Sequence, residues 1–362
     1  MVQLTSSWLI VHAFIIAMVF GLLLWFQLQI LHFALLFSLT VLLDLIYLSS
    51  VIINNIRPTQ QCFRINGKKV LVTGANSGIG FDISKKLVLS GAEYVVLVAR
   101  NQHRLNECKN ILESMKVDVN QKILCLSLDL ADDPVLVIQK ITDICSLMNG
   151  IDVLINCAGY SIPGEFENLK IEAFYTMNNT NYIGSVVVTQ AVVPFMKKQQ
   201  FGQIVFFSSV AGQIGVYGFS AYSPSKYALR GLAEVLYSEL KPFGIGVSLV
   251  FPPDTDTPGF QNENKSKPKL TQEISGNVQA WSSEDVSKVV MQGIEKRKFM
   301  IGCGSDGFFL NALTCGAAPP SSTLEFWMQC ILMPFLRVYI LFVQNSFFNL
   351  ISNEIDDKKK VL

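Results

Sequence analysis

Histidine is nearly missing from this 362-residue sequence: only His12, His32 and His103 occur, and the first two lie in a strongly apolar stretch. Histidine-based acid–base catalysis and metal binding are therefore disfavoured. The eight cysteines (Cys62, Cys108, Cys125, Cys145, Cys157, Cys303, Cys315, Cys330) include no Cys-x-x-Cys pair. That argues against a zinc site or disulfide framework and for reduced thiols in a reducing compartment. Neither sign of charge is in excess, since 29 Lys and Arg against 28 Asp and Glu leave +1, which gives no reason to expect a nucleic-acid partner. Residues 1–56 hold no lysine or arginine, so the basic start of a secretory signal is lacking. No internal repeat or low-complexity tract is visible.

Apolar residues are what the chain has in plenty: 50% of the sequence is hydrophobic and the mean hydropathy is +0.38. The excess is concentrated at the ends. Trp8–Phe26 and Ile30–Ile53 are two apolar runs, each near the roughly 20 residues that a helical span needs, leaving room for a tight connection around Gln27 to Gln29. Asp44 interrupts the second run, so that segment is either a span or a re-entrant or interfacial piece. Arg57, Arg64, Lys68 and Lys69 follow, and basic residues flanking a span stay on the cytoplasmic side. Near the other end Phe326 to Val343 is apolar but broken by Gln329, Pro334 and Arg337, which suits a membrane-surface or re-entrant helix better than a clean span. The last four residues, Lys359-Lys360-Val361-Leu362, resemble the dilysine retrieval signal of endoplasmic-reticulum membrane proteins, which requires a cytosolic tail.

Between these ends, short β-branched or aromatic runs alternate with helix-length segments. The runs are Val70–Val72, Tyr94–Val98, Ile123–Leu128, Val153–Ile155, Ile204–Phe207 and Gly246–Phe251. Such alternation predicts an α/β, Rossmann-like, doubly wound parallel sheet. The polar, lysine-bearing stretch from Asn262 to Ser275 reads as a mobile loop or lid.

Two features carry chemistry. Tyr222 and Lys226 stand four apart, so on a helix they share a face, and a neighbouring ammonium is expected to lower the phenol's pKa and make it a usable acid. Ser209, thirteen residues earlier at the end of an apolar run, can hold a carbonyl oxygen while Tyr222 protonates it. The pair alone is a weak signal, since tyrosine and lysine meet at that spacing by chance. The other feature is Thr73-Gly74-Ala75-Asn76-Ser77-Gly78-Ile79-Gly80, a glycine-rich turn between a strand and a helix, suited to a pyrophosphate at a helix N-terminus. Arg100, twenty residues past Gly80, stands where an NAD enzyme would carry an acid, and its guanidinium suits a 2′-phosphate, with Arg104 one turn on; NADPH is the expected cofactor.

The Thr-Gly-x-x-x-Gly-x-Gly turn and the Ser209, Tyr222 and Lys226 set, in this order, resemble the short-chain dehydrogenase/reductase family. The resemblance implies that Asp129 bonds the adenine, that Asn156-Cys157-Ala158-Gly159 stands for the family's Asn-Asn-Ala-Gly, and that Asn181 completes the catalytic set by bending a helix and holding a water against the lysine. It favours Ser209 as the catalytic serine, with Ser208 as the alternative. Pro224 between Tyr222 and Lys226 requires Tyr222 to stand at the start of its helix.

By this reading residues 1–56 are a membrane anchor of one or two spans and residues 57–320 the NADPH-binding catalytic domain, facing the cytosol from the endoplasmic-reticulum membrane. Residues 321–362 are then a membrane-associated apolar segment with a basic tail. The loop Phe251–Phe260, with Gly304–Gly307 and Ala312–Gly316, resembles a lipid-acting branch of the family, which implies a long-chain keto-base lipid as substrate, beside membrane lipid as partner. Reduction of another lipophilic ketone (steroid, retinoid or acyl) and a non-catalytic lipid-binding scaffold remain the alternatives. Asp254 or Asp256 is a candidate contact for the substrate ammonium, turn capping beside the prolines being the other role open to them. A homo-oligomer is compatible with the sequence, which sets no oligomeric state.

Overall fold

The computed structural model describes residues 3–55, 63–275 and 279–361, excepting the side chains of residues 3–10, 52–55 and 355–361. Arg57, Cys62 and Leu362, and the side chains of Lys359 and Lys360, therefore lie outside the described part. Two compact units divide the chain, residues 1–57 and residues 58–362.

The first unit is one helix, α1 (Gln3–Asn55). The connection expected around Gln27 to Gln29 is not a turn: the helix runs through it without glycine or proline to break it. At 1.5 Å per residue its 53 residues extend about 80 Å, more than twice a bilayer's hydrocarbon core. The stretch from Val11 to Val51 is long and apolar enough for a membrane crossing, with a mean hydropathy of 2.2 over its 18-residue window. Hydroxyls within it are satisfied locally, Thr40 Oγ1 donating to the Phe37 carbonyl and Ser50 Oγ to that of Tyr47, both at 2.8 Å.

The second unit is built on seven parallel strands, β1 (Lys69–Thr73), β2 (Tyr94–Ala99), β3 (Lys122–Ser127), β4 (Val153–Asn156), β5 (Gly202–Phe207), β6 (Ile245–Phe251) and, after a two-residue pair β7 (Thr255–Asp256) and β8 (Trp281–Ser282), β9 (Met300–Gly302). They lie in the order β3-β2-β1-β4-β5-β6-β9. Sequence reading found the first six and missed β9, three residues paired to Leu249, Val250 and Phe251, too short to show a period. Strand interiors are mostly apolar on both sides because helices cover both faces. One face carries α2 (Gly78–Leu89), α3 (Gln102–Glu113) and α10 (Ser283–Glu295), whose Ile83, Leu105 and Val290 pack against Val70, Val95 and Val205. The other carries α4 (Pro134–Leu147), α6 (Gly184–Gln199) and α7 (Tyr222–Leu240), whose Ile141, Val188 and Leu229 meet Leu71, Val96 and Phe206. The fold is the doubly wound α/β sheet.

The stretch expected to be a loop is instead two short helices, α8 (Pro258–Asn264) and α9 (Lys269–Ser275). Thr257 caps α8 by accepting from Phe260 N at 3.1 Å, and Thr271 Oγ1 ties α9 to the Tyr217 carbonyl at 3.0 Å. Its polar composition misled because Lys267 is buried, its Nζ 2.9 Å from Glu263 Oε1 and set over the Phe260 and Phe219 rings, 4.8 and 5.6 Å from their centres. After β9 the chain forms α11 (Gly304–Leu313) and α12 (Thr323–Val361). α12 continues through Pro334, and the Gln329 that interrupts its apolar sequence is buried.

The strand order reverses between β1 and β4, where a doubly wound sheet opens a crevice. Thr73, at the end of β1 and 1% exposed, holds that crevice together: its Oγ1 accepts from the Cys157 and Ala158 amides at 3.1 Å each. Thr73→Val keeps the shape and strands the Ala158 N–H, so unfolding free energy should fall by about 1–3 kcal/mol, measured by urea denaturation; an unchanged midpoint would refute the role.

Candidate active site

The crevice begins at the turn between β1 and α2. Gly74 has φ +68°, and a Cβ there would stand 2.8 Å from Ala158 Cα; at Gly80 a Cβ would meet the Gly74 carbonyl oxygen at 2.5 Å. Side chains are excluded, so backbone can approach a phosphate closely. Asn76, Ser77 and Gly78 form the turn itself, and Ile79 lines the cleft beyond. Thr257, past β6, touches Gly78 closely enough that a Cβ there would lie 2.8 Å from its Cγ2.

Arg100 follows β2, its side chain 68% exposed, with Nη1 3.7 Å from Asp129 Oδ2. Asn101 caps α3 by accepting from Arg104 N at 3.0 Å, which sets Arg104 one turn into the helix beside Glu107 at 3.5 Å. Asp129 accepts from Ala131 N at 3.1 Å. Two guanidinium groups and a carboxylate thus stand at one edge of the crevice. Asn156 stands apart: 2% exposed, it donates to Thr189 Oγ1 at 3.1 Å and fixes the end of β4 without lining the cleft.

Past the turn lies a cleft of about 420 Å³ lined by Ser209, Tyr222 and Lys226 among others. Tyr222 is the first residue of α7, so Pro224 falls in the first turn, where a missing N–H costs nothing. Ser209 caps a short 3₁₀ turn, Val210–Gly212, accepting from Ala211 N at 3.2 Å, and it lines the cleft beside the Tyr222 phenol, whose ionised form it favours. Ser208 does different work: buried, it donates to the Lys226 carbonyl at 2.9 Å and pins α7 to the end of β5. Lys226 is 4% exposed, its Nζ donating to the Phe207 carbonyl at 2.8 Å and standing 5.7 Å from the centre of the Tyr222 ring. Asn181 sits in a π-helical turn, Asn178–Ile183, between α5 (Ile171–Met177) and α6. Such a bulge widens a helix locally. Fully buried, Asn181 donates to the Tyr160 carbonyl at 3.0 Å and to Ser225 Oγ at 3.1 Å, and accepts from Tyr160 N at 3.1 Å. Gly159 leaves a gap beside it, since a Cβ there would stand 3.0 Å from both Asn181 Oδ1 and Lys226 Nζ.

The expected lowering of the phenol's pKa by the lysine does not occur. Burial pushes the Tyr222 pKa up; the neighbouring Ser209 hydroxyl opposes this, while Glu263 and Asp254 add to it. Burial likewise pulls Lys226 down to about 8, against a smaller raising effect from Cys157. Desolvation outweighs the pairing because both groups share one nearly dry site and the ammonium is aimed at a backbone carbonyl. The phenol is therefore protonated at neutral pH and has a proton to give. Cys157 is pushed up to about 12, mainly by burial, which leaves its thiol inert.

Of the two acids after β6, Asp254 lines the cleft and stands 4.0 Å from Lys267 Nζ, whereas Asp256 is exposed and accepts from Gln261 Nε2 at 3.0 Å. Sequence reasoning missed the remaining walls: Glu263, Phe219, Phe260, Ile274, Leu310 and Phe347 come from five separate elements or loops. Nothing in their local spacing marks them.

A protein-family comparison matches residues 68–268 to the short chain dehydrogenase family. The chain is 43% identical over 284 residues to a 3-dehydrosphinganine reductase of Danio rerio, covering 78% of this chain and 85% of that protein. It is 41% identical over 294 residues to a 3-ketodihydrosphingosine reductase of Mus musculus, covering 81% and 88%. Among solved structures, levodione reductase superposes with a TM-score of 0.57 at 22% identity, covering 62% of this chain and 90% of that one, a likeness of fold. This chain belongs to the short-chain dehydrogenase family and is a nicotinamide-dependent oxidoreductase.

Proposed function

We propose that the protein reduces 3-ketodihydrosphingosine, a long-chain keto-base lipid, to dihydrosphingosine with NADPH, at the cytosolic face of the endoplasmic-reticulum membrane. The observation that carries this is the Tyr222 phenol, beside Ser209 in a cleft whose walls include Phe219, Phe260, Ile274, Leu310 and Phe347. Such walls suit an alkyl chain, at about 0.8 kcal/mol for each methylene removed from water. The names of the relatives point to the same substrate. Two helices long and apolar enough to cross a membrane, Val11–Val51 and Thr323–Glu354, support residence where such a lipid dissolves. The domain assignment carried forward is an anchor over residues 1–56, a catalytic domain over 57–320 and an apolar segment with a basic tail over 321–362. The cytosolic orientation rests on Arg64, Lys68 and Lys69 after α1.

The side-chain-free turn from Gly74 to Gly80 fits a nucleotide pyrophosphate, Arg100 and Arg104 a 2′-phosphate, and Asp129 the adenine. When bound, the nicotinamide supplies a hydride to the substrate's C3 carbonyl carbon. Ser209 holds the carbonyl oxygen, and Tyr222 gives its phenolic proton to that oxygen as the C–O double bond becomes single. Lys226 then faces a phenolate, whose charge its ammonium stabilises, and binds the cofactor ribose. Asn181 and the gap left by Gly159 make room for a water that returns the proton.

NADPH oxidation by purified membranes should rise with 3-ketodihydrosphingosine and not with a panel of steroid and retinoid carbonyls. Activity restricted to the panel would overturn the substrate. Tyr222→Phe should lower kcat by about 10²–10⁴-fold while nucleotide binding by fluorescence titration persists; retained turnover would refute the proton's source. Ser209→Ala should cost about 10²-fold in kcat with the melting temperature intact, whereas Ser208→Ala should act mainly on stability. Arg100→Ala should raise the KM for NADPH about tenfold and leave that for NADH nearly unchanged; equal effects on both would argue against the 2′-phosphate contact. In the nucleotide-free protein, Lys226 releases its proton near 8 when folded, against 10.5 as the ordinary value. Between those values the unfolded chain binds the extra proton, so this group makes stability rise with pH across that window. The melting temperature of the wild type should therefore rise with pH across that window relative to that of Lys226→Met.

A further inference from the structure

α12 carries two apolar stripes. Leu332, Leu336, Ile340, Val343 and Phe347 recur every three or four residues, are buried or half-buried, and face the catalytic unit as the helix packs on α11 and α9. On the other side Ile331, Phe335, Val338, Tyr339 and Phe342 are 55–71% exposed. A helix apolar on its docked side and equally apolar on its free side has a second apolar medium to meet. Only 6% of its most apolar window is buried.

The free stripe spans about 16 Å along the axis, from Ile331 to Phe342, and after it exposed polar residues (Gln344, Asn345, Ser346 and Asn349) alternate with the exposed Phe348 and Leu350. Tyr339 and Arg337 lie within it, residue types that sit at a headgroup boundary with their polar ends in water. This pattern fits a helix lying along the surface of a lipid leaflet. Phe347 comes one turn after Val343 and lines the catalytic cleft, with Ile274 of α9 and Leu310 of α11 beside it. Phe347 therefore joins the cleft wall to a helix whose free side is apolar.

We propose that Phe347 is the threshold between bilayer and cleft: the alkyl chain of the substrate passes it with its tail still in the leaflet, and the residue selects for chain length. The proposal rests on the reading of the substrate as a long-chain ketone. Widening or narrowing the threshold should change how the enzyme ranks long chains against short ones, with the chemistry at Tyr222 untouched.

The test uses the full-length protein in phosphatidylcholine vesicles, with NADPH and two substrates: 3-ketodihydrosphingosine and a water-soluble short-chain analogue with the same 3-keto amino alcohol. Phe347→Trp should lower the long-to-short ratio of kcat/KM about tenfold, and Phe347→Ala should shift it in favour of bulkier chains. An unchanged ratio in both variants, with melting temperature and nucleotide binding retained, overturns the threshold. On the free stripe, Phe335→Asp with Phe342→Asp should slow turnover of vesicle-borne substrate about tenfold, and substrate offered in mixed detergent micelles should restore it. If that double variant instead breaks up a dimer while vesicle turnover stays unchanged, the stripe is a contact between copies and the lipid contact is overturned. Failure of the wild-type protein to reduce either substrate would overturn the proposed function itself, a result distinct from an unchanged ratio.

Discussion

The site depends on a lysine kept out of water. Lys226 is buried with its Nζ on the Phe207 carbonyl, and that single 2.8 Å bond ties the tip of β5 to the first turn of α7. Burial of an ammonium is costly unless each proton finds an acceptor, so the surrounding backbone is shaped to supply them. Ser208 draws the same turn inward through the Lys226 carbonyl, and Gly159 and Asn181 stand on the lysine's other side. Tyr222 inherits its position from this arrangement. It begins the helix that Lys226 anchors, and its phenol is left facing Ser209 and the cleft.

Desolvation also sets the chemistry. A phenol beside a free ammonium in water would be a somewhat stronger acid, but here both groups are driven toward their neutral forms. The result is a phenol that keeps its proton at neutral pH, suited to reduction. The same dryness makes the cleft hospitable to an alkyl chain, and its outer wall comes from α12, a helix that the doubly wound sheet does not itself require. The proposed lipid substrate and the exposed apolar side of α12 thus meet on one face of the catalytic unit.

Much of the fold was legible beforehand because its signals are local. Six strands showed as short β-branched runs between turn residues, and the glycine turn followed the first of them with the spacing a phosphate needs. β9 escaped because three residues carry no period. The segment around Lys267 was misread because a buried, paired lysine has the same composition as a solvated one. The turn expected in α1 rested on two glutamines, which a continuous helix accommodates with its backbone bonds intact.

The sequence by itself determined the sheet and the order of its motifs, and it singled out Ser209, Tyr222 and Lys226 as candidates, since these rest on spacings along a few residues. Only the tertiary structure decided that Ser209 rather than Ser208 meets the phenol, that Asp254 and not Asp256 lines the cleft, and that Phe347 closes a site more than a hundred residues upstream. Those outcomes depend on which way a side chain turns and on which distant segment folds over it. Neighbours in space leave no mark on the spacing of neighbours in sequence.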